Sequence, residues 1–168
     1  LTGTVRRIVL PESLAADIDY DQILVPMKDS RIADEMMLLA CQLAREKNSS
    51  IDALYVIEVP MNLPLTAPLA RERARGQALM ERAAAIAGQF DVKLNPLVVT
   101  ARQAGRAIVD TARERRSEVI VLGSQRKRRP TARFGRVVEY VLQNADTEIL
   151  HNIVSSDYPL ETDAPPAP

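Results

Sequence analysis

The densest group of residues able to do chemistry is a basic segment, Gln125 to Arg136, which begins shortly after Gly123 and includes Gly135. Six of the twelve residues from Gln125 to Arg136 are cationic. Planar arginine side chains bind phosphate oxygens in a bidentate manner, so this segment could hold a phosphate-bearing ligand. Charge runs are also common on solvated surfaces, and a basic cluster beside a membrane attracts anionic lipid. All three interpretations stay open. The cations are Arg126, Lys127, Arg128, Arg129, Arg133 and Arg136.

The rarest residue types exclude several catalytic classes. Cys41 and His151 are each alone of their kind, which excludes an intrachain disulfide, a Cys-x-x-Cys redox pair and a Cys/His zinc site. His151 lies in an apolar segment typical of a strand, and Cys41 lies at core spacing in a predicted helix, so neither is expected to be catalytic. Near Gly123 there is no Walker A loop and no carboxylate pair for a metal. We therefore predict a protein that is not an enzyme and holds no metal.

Composition predicts one domain of moderate size. The chain has 168 residues, of which 46% are apolar and 26% charged, which is enough for a single core. The 22 basic and 22 acidic residues balance, which argues against nucleic-acid binding held by overall charge. No uncharged apolar run is long enough to span a bilayer, and the first ten residues include two arginines. We predict a protein of the reducing cytoplasm.

Strand-like and helix-like segments alternate along the chain. An apolar run from Ile23 to Met27 is followed by a polar cap and then by apolar residues at helical spacing. Val119 to Leu122 is wholly apolar, as expected of a central strand that ends at Gly123. Pro96 places the strand from Val92 to Thr100 at a sheet edge, because proline has no N–H. The order βαβαβαβαβ predicts an open, doubly wound α/β fold, with a five-stranded parallel sheet and helices on both faces.

The domain is predicted to span residues 21–154. Residues 1–20 are predicted to form an N-terminal arm, either an extra edge strand or a linker, and residues 155–168, which are acidic and rich in proline, are predicted to form a disordered tail. The remaining predicted elements are a strand from Ile51 to Val59, a helix from Pro68 to Phe90, a helix from Ala101 to Arg116, a helix from Gly135 to Asn144 and a strand from Glu148 to Val154.

Four segments resemble the universal stress protein family. They are Gln22 to Ser30 (QILVPMKDS), Ala53 to Glu58 (ALYVIE), Ala107 to Ala112 (AIVDTA) and Val119 to Ser124 (VIVLGS). The resemblance covers residues 21–154 and implies a sheet ordered 3-2-1-4-5. It also implies ATP or AMP binding at the ends of strands one and four. Finally, it implies a homodimer through strand five, here Glu148 to Val154, where Ile149 and Ile153 would otherwise be an exposed apolar edge.

The nucleotide signature of that family, Gly-x2-Gly-x9-Gly-Ser/Thr, is altered in this chain. Arg126 replaces the second glycine, Arg136 replaces the small hydroxyl residue, and the loop is one residue shorter. Lys28 lies where family members place an aspartate against the nucleotide. Gly123 and Gly135 remain, and glycines allow backbone N–H groups to approach phosphate. The resemblance thus implies a nucleotide or phosphate site with the residues Pro26, Lys28, Val56, Leu122, Gly123, Ser124, Arg126, Gly135, Arg136 and Val137.

A narrower resemblance concerns one kind of transporter domain. Tyr55 to Pro60, Leu63 to Leu65 and Phe134 to Arg136 resemble the universal-stress-protein-like domains at the cytoplasmic C-terminus of some bacterial amino-acid permeases. The resemblance implies a piece of a membrane transporter, which fits a chain that begins with Leu1. The predicted function is a regulatory module that binds ATP, AMP or cyclic di-AMP. The alternative is a dimerisation or interaction domain whose degenerate site is empty.

Overall fold

The computed structural model describes residues 19–127 and 134–159. Within these ranges strands and helices alternate, and the strands form one sheet in the order β3-β2-β1-β4-β5. Every adjacent pair of strands is parallel. The predicted fold class and strand order are confirmed. The elements are β1 (Gln22–Pro26), α1 (Arg31–Arg45), β2 (Ser50–Glu58), α2 (Ala70–Gly88), β3 (Lys93–Ala101), α3 (Ala104–Glu114), β4 (Val119–Gln125), α4 (Arg136–Asn144) and β5 (Glu148–Val154).

Helices cover both faces of the sheet. On one face, α1 and α2 pack over a cluster that includes Val25, Met37 and Ala83. On the other face, α3 and α4 pack over a cluster that includes Leu24 and Val141. Neighbouring residues of β1 belong to opposite clusters because side chains alternate across a strand. No helix among the described residues is both long and apolar enough to cross a membrane.

An ion pair with one buried partner joins the end of α3 to the sheet. Asp52 on β2 is 1% exposed, and its carboxylate accepts hydrogen bonds from Arg115 Nε and Nη2, each at 2.8 Å. Asn95 Nδ2 on β3 donates to the same carboxylate at 2.8 Å. Arg115 keeps 41% of its side chain exposed, and its pKa is raised by the hydrogen bonds to Asp52 and then by the charge of Asp52. Sequence analysis did not predict this pair.

Several predicted boundaries differ from the observed ones by one to three residues, and strand pairing explains two of them. β4 continues past Gly123 to Gln125, because β5 pairs with it along that whole stretch. α3 begins at Ala104 and not at Ala101, because β3 remains paired with β2 as far as Ala101. In both places, strand pairing extends a strand beyond its apolar run.

The two edge strands of the sheet differ. β3 contains Pro96, and its position at an edge confirms the prediction made from the missing N–H. Val98 on the same strand is 41% exposed. β5 contains no proline, and its Ile153 is 39% exposed, whereas Ile149 packs against the α3–α4 cluster. One edge is therefore interrupted by proline, and the other is continuous.

The predicted ends of the chain are described only in part. Residues 1–18 of the predicted arm and residues 160–168 of the predicted tail lie outside the described ranges. Within residues 155–159, the carbonyls of Ser156 and Tyr158 accept hydrogen bonds from Gln125 Nε2, each at 3.0 Å. The Tyr158 hydroxyl donates to Glu35, and Arg31 lies 5.4 Å from the centre of the Tyr158 ring. These contacts join the segment to α1 and β4.

Candidate functional site

The carboxyl ends of β1 and β4 meet at the middle of the sheet. The first part of the chain builds the sheet on one side of β1, and the chain then crosses to β4 on the other side. At such a switch point the loops diverge and leave a crevice, and helix N-termini face it. Here α1 begins after β1, and α4 begins after β4. This is the region in which the sequence-predicted site residues are expected to meet.

Three apolar site residues are brought together on the α3–α4 face. Leu122 is buried in the cluster on that face, and Val56 and Val137 are partly buried against the same cluster. We call these three residues the apolar floor. Pro26 is the last residue of β1 and is partly exposed beside them. In the strand register it pairs with Leu54 of β2. The floor is suited to contact an uncharged ring of a ligand.

Gly123 has a packing role that sequence analysis did not predict. A Cβ at this position would overlap Ile32 Cγ2 and would lie 2.9 Å from Met36 Cγ, both on α1. The glycine therefore allows α1 to lie close against β4. The sequence interpretation attributed this glycine to the approach of phosphate, but contact with α1 already accounts for it. Its position faces the α1–α2 side, away from the apolar floor.

Ser124 is paired with the one histidine of the chain. Ser124 is buried, and its Oγ lies 2.6 Å from His151 Nε2 on β5. The Phe134 ring packs edge-on against the imidazole, with the ring centres 5.2 Å apart. Burial lowers the pKa of His151. Sequence analysis treated His151 as an ordinary strand residue. The available signal was the register of β4 and β5, which places His151 opposite Leu122 and therefore on the same face as Ser124.

The start of α4 is open at its first turn. Gly135 precedes the helix with φ of +89°, a conformation that favours glycine. No side chain of the described residues forms a capping hydrogen bond to this end of the helix. The first backbone N–H groups of a helix lack partners within it, so this end attracts anions. A Cβ on Gly135 would lie 3.6 Å from Lys127 Nζ, which places an ammonium group beside the turn.

The remaining cations of the site point into solvent. The side chains of Arg126, Lys127 and Arg136 are all exposed. The backbone N–H of Arg126 donates to the carbonyl of Val154 at 3.0 Å, which continues the pairing of the β4 and β5 ends. The backbone there is fixed while the side chains remain available to a ligand. Arg128, Arg129 and Arg133, the other cations of the basic segment, lie outside the described residues.

Lys28 is exposed just beyond β1. The two carboxylates that follow it are joined to α2, because Arg82 donates to Asp34 at 2.9 Å and to Asp29 at 3.4 Å. Burial raises the pKa of Asp34, and the charge of Arg82 opposes this shift. These ion pairs offset the negative charge near the start of α1. The side of the crevice next to β1 therefore presents both Lys28 and Asp29 as exposed side chains, with Lys28 at the position where family members place an aspartate.

Together these groups suit a ligand with an apolar ring and a phosphate. The apolar floor lies on one face, and the open turn of α4 and exposed cations lie at the end of β4. Within residues 19–127 and 134–159, no group of three or more His, Cys, Asp or Glu side chains is arranged to hold a metal ion.

An open parallel sheet with such a switch point belongs to the class of doubly wound α/β domains. The family model for the universal stress protein family matches residues 19–150, and the chain belongs to this family. A universal stress protein of Methanocaldococcus jannaschii is 25% identical over 138 residues, which cover 78% of this chain and 81% of the relative.

Solved structures share the fold. Universal stress protein UspA of Lactobacillus plantarum has a TM-score of 0.67 and 24% identity, with 80% of this chain and 98% of that chain covered. A universal stress protein in complex with cAMP has a TM-score of 0.66 and 18% identity, with 83% of this chain and 99% of that chain covered. Both likenesses establish that the five-stranded architecture is the one found in this family.

Proposed function

We propose that this chain is a regulatory module that binds an adenine nucleotide at the carboxyl ends of β1 and β4, with ATP, AMP and cyclic di-AMP as the candidate ligands. The observation that carries the proposal is the start of α4. Gly135 opens the helix with φ of +89°, and Lys127 lies beside it. Backbone N–H groups at the start of a helix, next to a cationic side chain, are complementary to phosphate.

Solved relatives support the choice of ligand class. Universal stress proteins of this fold have been solved in complex with cAMP, with dAMP in the case of Archaeoglobus fulgidus, and with AMP in the case of Arabidopsis thaliana. All three ligands combine adenine with a phosphate. In this chain, the apolar floor would contact the base, and the α4 start would contact the phosphate. The replacements Arg126 and Arg136 would add charge where the family signature has a glycine and a small hydroxyl residue.

Calorimetric titration of the purified chain with ATP, AMP and cyclic di-AMP tests this proposal. The double variant Arg126→Gln/Arg136→Gln should weaken binding by about 1.5–3 kcal/mol for each charged hydrogen bond that is lost. Its melting temperature without ligand should stay close to that of the parent, because both side chains are exposed. Affinity in the parent should fall as salt rises, since exposed charges are screened over about 8 Å at physiological ionic strength.

A matched control is available on the exposed surface of α2. Arg71→Gln/Arg75→Gln removes the same charge from two exposed positions of a different element. This control should leave nucleotide affinity and its salt dependence unchanged. No binding at millimolar nucleotide, or equal affinity in the two double variants, would contradict the proposed site.

A second candidate function, contact with another protein, is favoured by the loop after β2. Met61, Leu63 and Leu65 are 84%, 37% and 47% exposed. Arg102 Nη1 donates to the carbonyls of Pro60 and Leu63, at 2.5 and 2.8 Å, and so holds this loop in shape. Exposed apolar side chains on an ordered loop are suited to a protein interface.

The two candidate functions give different results with the same variants. If the chain is an interaction domain with an empty site, nucleotides leave its melting temperature unchanged. Met61→Ser/Leu65→Ser then removes association with the partner, whereas Arg126→Gln/Arg136→Gln does not. If the chain is a nucleotide-binding module, the second variant changes nucleotide affinity and the first does not.

We also propose that the module acts without catalysis, in the cytoplasm, as a homodimer associated with an amino-acid transporter. The continuous edge of β5 and the exposed Ile153 support pairing through this strand. Light scattering at tens of micromolar should give the mass of two chains, and Ile153→Lys should give the mass of one. A parent protein that is monomeric at that concentration would contradict the dimer.

A further inference from the structure

The Ser124–His151 hydrogen bond lies beside the segment that leads into α4. Ser124 is 6% exposed, and its Oγ is 2.6 Å from His151 Nε2. Phe134, whose ring packs against the imidazole, immediately precedes Gly135. The polar pair is therefore placed next to the open helix turn that the proposed function assigns to a phosphate.

The charge and the tautomer of the imidazole together decide how this hydrogen bond is directed. A neutral imidazole accepts or donates at Nε2 according to its tautomer, whereas an imidazolium can only donate. When His151 donates, Ser124 Oγ accepts and the serine O–H is released to donate elsewhere. When a neutral His151 accepts, the serine proton is used within the pair. Protonation of His151 therefore fixes the ring as the donor and leaves the Ser124 hydroxyl free to donate to an anion, whereas the neutral ring does so in only one of its two tautomers.

We propose that His151 is a positioning residue that couples phosphate binding to the uptake of one proton, by directing the Ser124 hydroxyl towards a ligand phosphate. This inference rests on the proposed function, because it concerns the same site. The proton comes from solvent and stays on the imidazole, while the serine keeps its own proton. An anion in the site also favours the positive charge on His151, so the ligand and the proton promote the binding of each other.

The surroundings favour a neutral imidazole in the free protein. Burial lowers the pKa of His151. The described charged residues of the neighbouring elements carry both signs, so burial is the effect that favours the neutral ring. Those residues are Arg126 and Lys127 after β4, Arg136 and Glu139 in the first turn of α4, Asp146 and Glu148 before and at the start of β5, and Asp157 after β5.

The experiment is an NMR titration of the imidazole in the full chain. Because His151 is the only histidine in the sequence, its ring signals report the site without overlap. Spectra recorded between pH 5 and pH 8, without ligand and with saturating AMP, give two titration midpoints. We expect AMP to raise the midpoint by about one pH unit, which by linkage corresponds to roughly tenfold tighter binding with His151 charged than neutral.

Three variants separate the serine contact from a general charge effect. Ser124→Ala removes the directed hydroxyl, so AMP should bind more weakly and the rise of the midpoint should fall by at least half. His151→Gln should remove the histidine-dependent part of the pH profile of affinity and leave the part due to the ligand phosphate, which titrates near pH 6 itself. Asn152→Ala changes an exposed neighbour on the opposite face of β5 and should leave both quantities unchanged.

The inference and the proposed function fail in different ways. If AMP binds but leaves the His151 midpoint unchanged, the coupling is refuted and the proposed function stands. The same conclusion follows if Ser124→Ala retains the whole rise. If AMP does not bind at any pH in the range, the proposed nucleotide site itself is refuted.

Discussion

Removing Arg115 should destabilise the protein more than removing Asp52, although the two side chains share one ion pair. Asp52 is 1% exposed, so Arg115→Ala leaves a carboxylate inside the sheet. Leaving such a charge without its partner costs about 3–5 kcal/mol of the free energy of unfolding. The retained hydrogen bond from Asn95 is worth about 1.5 kcal/mol, so the expected loss for Arg115→Ala is about 1.5–3.5 kcal/mol. Asp52→Ala instead leaves Arg115, which is 41% exposed and regains water, so the loss should be only about 1 kcal/mol.

Urea unfolding followed by far-ultraviolet circular dichroism measures both losses, since the chain has no tryptophan for fluorescence. The double variant Asp52→Ala/Arg115→Ala should be more stable than Arg115→Ala alone, because it no longer contains the unpaired carboxylate. Arg106→Ala is the matched control on the same helix: its side chain is 71% exposed, and its ion pair with Asp110 is 3.7 Å long. The free energy of unfolding of Arg106→Ala should stay within about 0.5 kcal/mol of that of the parent. If Arg115→Ala proves no more destabilising than Asp52→Ala, the argument from unequal burial is wrong.

Other predictions follow from single contacts. Gly123→Ala should lower the free energy of unfolding by about 2–3 kcal/mol, because the new Cβ overlaps α1. Gly88→Ala is the control: its Cβ meets nothing within 4 Å, so the free energy of unfolding should not fall. Equal shifts of the melting temperature in the two variants would contradict the packing role of Gly123. Burial, followed by the hydrogen bond and charge of Glu148, raises the pKa of Tyr20 to about 12 from 10.0. The unfolded chain then loses this proton first, so stability that is present below pH 10 should decline as pH rises towards 12. Tyr20→Phe should flatten that decline in urea midpoints measured across this range. Tyr158→Phe removes the hydroxyl that donates to α1 and should make residues 155–159 more susceptible to proteolysis, without changing the far-ultraviolet spectrum.

The sheet could be predicted because its strands are specified by local sequence. The apolar run from Val119 to Leu122 indicates a strand covered on both faces, and Pro96 identifies an edge by removing one donor. The site could be predicted only as a set of chain positions at strand ends. Contacts such as Asp52 with Arg115, and Ser124 with His151, join residues far apart in sequence, and they depend on the register of neighbouring strands. Register follows from tertiary packing, which a single sequence does not reveal.

The same limit applies to the role of individual glycines and cations. Gly123 and Gly135 look alike in the sequence, yet the first accommodates a helix and the second adopts a positive φ. The sequence shows that Arg126 and Arg136 replace small residues of the family signature, but it does not show which way their side chains point. Their part in ligand binding remains a prediction for the titrations described above.

The difference between the two sheet edges limits how far copies of this chain can add to one another. Two β5 strands that meet around a twofold axis would join two five-stranded sheets into one of ten strands. Each outer edge of that sheet would then be β3, where Pro96 interrupts the row of backbone donors. A further copy would find no continuous strand to extend, so an assembly that pairs through β5 would close at two chains and would not grow into a fibre. In such a dimer Pro96 would act as a terminator of polymerisation, at the sheet edge opposite β5.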